Sequence, residues 1–141
     1  MNFGAGVKLP DTRCVTRASI YSHALSARYY GLPVYLVGSA LRDPDPRDID
    51  IVIPVPDDLF LSMYGDAEDT LVDWADAIRA PRVDLPKQWL RWARDCAKQG
   101  RELTYFCHRQ VDFKTQPQTY FDTFNHKPRQ RLDCDILRSL T

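Results

Sequence analysis

Two short apolar runs mark the most regular part of the chain. Val34-Tyr35-Leu36-Val37 is continuous and rich in β-formers, which predicts a buried strand. Ile49-Asp50-Ile51-Val52-Ile53 predicts a second strand, stopped by Pro54 and Pro56. Before them, residues 12–30 predict a helix capped by Thr12, with Val15, Ile20, Ala24, Leu25 and Ala27 as a loose apolar stripe, ended at Gly31-Leu32-Pro33. Residues 57–66 read as an acidic segment without an element. A helix from about Glu68 to Arg79 follows, with Leu71, Trp74, Ala75 and Ile78 on one face, and another from Pro86 to about Gln99, ended by Gly100. Trp89, Leu90, Trp92, Ala93 and Cys96 are core candidates of that second helix, and its two Trp also offer stacking surfaces for a base. Leu103 to Cys107 and Gln110 to Lys114 read as strand, one long or two short. Near the end, Tyr120, Phe121 and Phe124 pack back, and Leu132 to Leu140 form a short helix. This order predicts an α+β fold, a small mixed β-sheet flanked by helices, as a single domain over residues 1–141.

Composition refines the picture through the distribution of charge. The chain holds 19 basic and 19 acidic residues, for a formal net charge of zero. That balance excludes a protein that grips long nucleic acid by bulk charge alone. Yet residues 40–84 contain twelve acids and four bases, whereas Lys87 to the end contains eleven bases and six acids. An acidic middle suits metal cations and a basic last third suits polyanions. No apolar run approaches the ~20 residues of a membrane span, and the first residues lack the pattern of a signal peptide, so a cytoplasmic protein without a membrane partner is expected. Cys14, Cys96, Cys107 and Cys134 form no CxxC pair, and Cys107, His108, His126 and Cys134 lack the short steps of a structural zinc site. Reduced thiols are the simpler account.

The chemistry-bearing stretch runs from Val37-Gly38-Ser39-Ala40-Leu41-Arg42-Asp43 to Arg47-Asp48-Ile49-Asp50-Ile51. Alternate side chains of a strand share one face, so Asp48 and Asp50 project together while Ile49, Ile51 and Ile53 point into the core. Carboxylates that close repel unless a cation lies between them. Magnesium, held by one or two carboxylates plus substrate phosphates, resolves that conflict. The Gly38-Ser39 turn brings backbone N–H groups near a phosphate with no Cβ in the way, and Ser39 adds a hydroxyl. A third carboxylate on a neighbouring strand would complete a two-metal clamp, and Asp112, between Val111 and Phe113, is the best candidate. A calcium loop over Asp43, Asp45 and Asp48 fails: Arg47 interrupts it, and Pro54 stands where its bidentate Glu belongs.

With Gly38-Ser39, eight intervening residues and Asp48-Ile49-Asp50-Ile51, the sequence resembles the DNA polymerase β-like nucleotidyltransferase superfamily. Val37-Gly38-Ser39-Ala40-Leu41-Arg42-Asp43 is most similar to the CCA-adding and poly(A) polymerase branch, where a Gly-Gly-x-x-Arg-Asp segment precedes Asp-x-Asp. The close match covers about residues 34–53, with Val111 to Lys114 as a weaker anchor. The resemblance implies a palm-like nucleotidyltransferase fold. It implies that Asp48, Asp50 and Asp112 bind Mg2+ or Mn2+, and that Asp112 helps deprotonate the attacking hydroxyl. Gly38 and Ser39 would hold the triphosphate, and Arg42 would touch phosphate or ribose. Pro44 and Pro46 curtail the short helix that usually follows the turn, and the helical domains that select base and tRNA in CCA-adding enzymes have no counterpart here.

Two functions from different classes follow. The first is metal-dependent transfer of a nucleoside monophosphate from an NTP to a hydroxyl of an RNA 3′ end, a protein or a small molecule. The second is a catalytically silent module of the same fold used for binding or scaffolding. Two adjacent carboxylates favour the first, since an inactive copy has no electrostatic reason to keep them. The small size leaves acceptor recognition to a partner or to a second copy in a homo-oligomer.

Overall fold

The computed structural model describes residues 2–3, 7–8, 12–38, 49–65, 78, 87–124 and 129–133. The helix expected over 68–79 and the one expected over 132–140 fall mostly outside these residues. Ile78 is helical and buried, and Leu132 and Asp133 lie in a bend.

In chain order the elements are β1 (Asn2–Phe3), β2 (Val7–Lys8), α1 (Thr12–Arg28), β3 (Tyr35–Val37), β4 (Ile49–Val55) and α2 (Asp57–Tyr64). Then come α3 (Lys87–Cys107), β5 (Val111–Pro117), α4 (Gln118–Phe124) and β6 (Arg129–Arg131). β1 and β2 make a small antiparallel pair of their own. The other strands form a four-stranded mixed sheet in the order β5-β4-β3-β6, parallel between β4 and β5 and antiparallel elsewhere. Mixed sheet plus helices is the α+β class that the order of elements predicts.

The period-two alternation of β4 and β5 sorts their residues to two faces. Ile49, Ile51, Ile53 and Val55, with Leu36 of β3 and Val111 and Phe113 of β5, join the main core under α1, α2 and α3. The opposite face carries Asp50, Val52, Asp112, Lys114 and Gln116. Among the described residues, Phe121 of α4 covers one end of it, packing on Val37, Val52 and Tyr35.

Four expectations are corrected. β4 does not stop at Pro54 but runs through it to Val55. The Ile49 N–H donates to the Gln110 carbonyl on the β5 side, so the alternating Pro54 nitrogen faces β3, whose pairing ends at Val52. A missing donor there costs no ladder bond.

Residues 57–64 are helix, not an irregular segment. Asp57 and Asp58 in its first turn suit the positive end of the helix dipole, and Phe60 and Tyr64, four apart, are buried together.

α3 continues through Gly100 to Cys107, so Leu103 to Cys107 is helix rather than strand. Trp92, Cys96, Gln99, Gly100, Leu103 and Cys107 keep one buried helical stripe across the glycine. A Cβ at Gly100 would lie 3.4 Å from the Val111 carbonyl oxygen and 3.6 Å from the Phe113 nitrogen, so the glycine lets the helix lie directly on β5. Side chains of α3 also serve the outer edge of that strand. Trp92 donates its indole N–H to the Thr115 carbonyl (2.9 Å), and the Thr104 hydroxyl accepts the Val111 N–H (2.9 Å). An otherwise open sheet edge is thereby covered.

The buried face of α1 is rotated from the expected stripe. Ile20, Ala24 and Ala27 are exposed, whereas Ala18, Ser19, Ser22, Leu25, Ser26 and Tyr29 are buried. The serines are tolerated there because each hydroxyl finds an acceptor: Ser22 donates to the Ala18 carbonyl, Ser26 to that of Leu32 and Ser19 to that of Leu132. Leu132 in turn donates its N–H to Val34, and the Val34 N–H donates to the Asp133 carboxylate. Burial pulls Asp133 upward, but hydrogen bonds from Arg131 and the Val34 N–H overrule it and hold this carboxyl below its ordinary range.

A polar knot ties three helices to the sheet. Tyr29, in the turn after α1, and Tyr64 of α2 both donate to Oδ2 of Asp95 on α3, each at 2.7 Å, and Thr115 of β5 donates to the Tyr64 hydroxyl at 3.4 Å. Desolvation, reinforced by the Asp95 carboxylate, raises both tyrosines far above their ordinary value. Both therefore stay neutral in the folded protein while unfolded tyrosines ionise near pH 10. Raised groups stabilise fully below the unfolded value and lose that contribution as pH rises past it, by about 1.4 kcal/mol per pH unit for each tyrosine. Tyr64→Phe is therefore expected to cost about 1 kcal/mol at pH 8, and the deficit should shrink between pH 10 and 11. Urea denaturation followed by circular dichroism at each pH checks this; a deficit independent of pH would refute it.

Candidate functional site

The register of β4 on β5 decides which expected residues meet. Asp50 stands directly opposite Asp112, and on the other side of β4 it stands opposite Val37 of β3. Adjacent strands lie about 4.8 Å apart, and register partners point to the same face. The two carboxylates therefore sit side by side on the open face, away from α1, α2 and α3.

Gly38, at the end of β3, completes this corner. It has φ +79°, in the left-handed region that glycine enters without strain. A Cβ on Gly38 would come within 2.8 Å of Asp50 Oδ2. The absent side chain is thus the space that the Asp50 carboxylate occupies. Turn and carboxylate are fitted to each other, which the sequence pattern alone does not reveal.

A cleft of about 230 Å³ opens here, lined by Val37, Gly38, Asp50, Val52, Asp112, Lys114 and Gln116. Lys114, two residues beyond Asp112 on the same face, holds its Nζ 3.9 Å from Asp112 Oδ2. Asp112 is about half-exposed, so this ion pair contributes little stability, but it offsets the repulsion between neighbouring carboxylates. Lys114 reads from sequence as an ordinary surface charge. Its signal is the two-residue step from Asp112, which acquires meaning only when β5 is known to be one strand whose polar face is open.

The row across the sheet ends in a cation. Arg129 of β6 pairs with Val37, and its guanidinium lies over the rings of Phe121 and Tyr35, 5.0 and 5.4 Å from their centroids. Its Nη1 is 3.6 Å from Asp122 Oδ1. Asp112, Asp50, Val37 and Arg129 thus run in one line from acid to base.

Of the expected site residues, Gly38, Asp50 and Asp112 come together. Ser39, Arg42 and Asp48 lie outside the described residues. Among the described residues no group of three His, Cys, Asp or Glu could hold a metal ion. The donors that do meet are two carboxylates, oxygen ligands of the kind magnesium and manganese take, and their position beside a glycine turn fits such an ion. Trp92 is not available to stack on a base, being buried with its N–H engaged. Phe121 packs back as expected, but as part of a second, smaller cluster on the open face.

No protein-family model, no curated protein and no solved structure matches this chain.

The fit between Gly38 and Asp50 has a measurable form. Gly38→Ala should destabilise by about 1–2 kcal/mol, from the left-handed backbone and the displaced carboxylate together. Adding Asp50→Ala removes the atom in the way. The double variant should be more stable than the sum of the singles predicts by at least about 0.5 kcal/mol, measured by urea denaturation. Additive effects would show that the two residues are not coupled.

Proposed function

We propose that the protein is a metal-dependent nucleotidyltransferase of the DNA polymerase β-like type, moving a nucleoside monophosphate from an NTP to a hydroxyl acceptor. The observation that carries this reading is the register match of Asp50 with Asp112 on an open sheet face beside Gly38. A four-stranded mixed sheet with helices on its other face is compatible with the palm-like fold of that superfamily.

In this reading Asp50 and Asp112, with Asp48 from the same motif, hold magnesium or manganese. Bound there, the metal supplies charge neutralisation for the triphosphate and acidifies the acceptor hydroxyl. The remaining work belongs to the chain. Gly38 lets phosphate oxygens approach the backbone, with Ser39 and Arg42 as further donors to phosphate or ribose. Asp112 would take the proton of the attacking hydroxyl. The bond from that oxygen to the α-phosphorus forms as the bond from the α-phosphorus to the pyrophosphate oxygen breaks. Lys114 offsets the negative charge of Asp112 before substrate arrives and offers Nζ to a phosphate oxygen afterwards.

The test uses all four NTPs labelled at the α-phosphate, magnesium or manganese, and cellular RNA or lysate as acceptor. Label should be transferred by the wild type, and Asp50→Asn and Asp112→Asn should each lower transfer by about 100-fold or more with unchanged thermal unfolding. Transfer persisting in Asp50→Asn would overturn the site. No transfer from any NTP would favour the silent binding module.

A further inference from the structure

The solvent face of α3 carries a pattern that the cleft does not explain. Arg91, Arg94, Lys98 and Arg101, then Tyr105 and His108, recur at steps of three and four residues, and all six are exposed. Such steps place the five on α3 in one line along the helix, with His108 just past its end, and set the cations about 5 Å apart in axial rise over three turns. Among the described residues none of the four cations makes an ion pair. The two acids of α3 are both engaged elsewhere, Asp95 by Tyr29 and Tyr64, and Glu102 by Tyr21 and Arg28. Glu102 also lies close enough for the charge of Lys98 to act on it, but no acid stands in the line itself, within a chain whose net charge is zero.

The line leads into a second cavity, of about 470 Å³, between α3 and β5. Arg101 and Tyr105 line it from the helix, Asp112 lines it from the strand and Gln110 from the residue before it. Asp112 is thus shared by this cavity and by the cleft that holds Asp50. Tyr105 is 84% exposed, an unusual position for a large ring and one open to stacking.

From this continuity we infer that α3 is the track for a single-stranded nucleic acid acceptor, whose 3′-terminal nucleotide enters the cavity beside Asp112. The phosphates run along Arg91, Arg94, Lys98 and Arg101, and a base near the terminus stacks on Tyr105. Evenly spaced cations followed by an exposed aromatic are what a strand of regular phosphates and π-faced bases requires. A protein or small-molecule acceptor has no use for four aligned cations over several helical turns. The inference rests on the transferase reading for its direction towards Asp112, whereas the track itself can be tested without catalysis.

The test is fluorescence anisotropy of a 5′-labelled 15-nucleotide single-stranded RNA with the full chain, without NTP or added metal, from 25 to 200 mM salt. Binding should weaken as salt rises. The double reversal Arg94→Glu with Arg101→Glu should weaken it by at least tenfold and flatten the slope of log K against log salt by about 1.4. Tyr105→Ala should weaken it roughly tenfold with the salt slope unchanged. Reversal of Arg17→Glu on α1 should alter neither by more than twofold, and circular dichroism should show all variants folded. Wild-type affinity and slope in the double reversal would overturn the track, and so would duplex RNA of the same sequence binding as tightly. A protein that binds the RNA but transfers no nucleotide would refute the transferase reading and leave the track standing. One that transfers label to a protein or small molecule without binding the RNA would do the reverse.

Discussion

A slip of one residue in the pairing of β5 on β4 would turn Val111, Phe113 and Thr115 to solvent and drive Asp112 and Lys114 into the core. The burial of Val111 and Phe113 forbids it: each is almost completely removed from water beneath α3, at about 25 cal/mol per Å² of apolar surface. Hydrophobic register thereby fixes polar register. Asp112 stands beside Asp50 because the residues flanking each of them cannot be anywhere else. Two like charges are held together by packing energy that neither contributes, and Lys114 and Gly38 accommodate the result.

α3 enforces the same register from outside. It lies on β5 through Gly100, engages the edge of the strand through Trp92 and Thr104, and sends Asp95 to meet Tyr29 and Tyr64. One helix therefore has three faces with separate duties. An apolar stripe makes the core, a polar edge covers the strand and a basic line faces solvent. A parallel pair such as β4 and β5 needs a long crossover connection, and that connection contains α3. The proposed metal-binding face and the proposed acceptor track are consequently two sides of a single strand-and-helix unit.

Sequence reasoning reaches the strands because β3 and β4 are apolar-rich runs beside Gly or Pro and the start of β5 alternates apolar and charged residues, both strong local signals. It reaches Asp50 through its pairing with Asp48 after the Gly38-Ser39 turn, and Asp112 because it is an acid set between Val111 and Phe113. It fails where long-range packing overrides local preference. Gly100 looks like a helix terminus, yet contact with β5 makes it the position where the helix must be smallest. Leu103 to Cys107 looks like strand, yet only Leu103 and Cys107 are buried, one helical turn apart. On α1 the hydrophobic scale points to Ile20, but the serines that are buried can hide their hydroxyls against backbone carbonyls. β6, with two arginines in three residues, has no strand signature at all and exists because β3 offers it an edge. For Ser39, Arg42 and Asp48 the reading still rests on the motif.

The far edge of the sheet has a consequence for how the chain is made. β3 is synthesised early, but its outer partner β6 follows roughly 90 residues later, as does Leu132, which ties α1 and β3 together through Ser19 and Val34. At translation rates of about 5–20 residues per second, β3 waits roughly 5–20 s on the ribosome with that edge open. The apolar run Val34 to Val37 is then a strand without its neighbour, the condition in which nascent chains associate with one another or with chaperones. Native sheet order is thus completed only after β6 has been made.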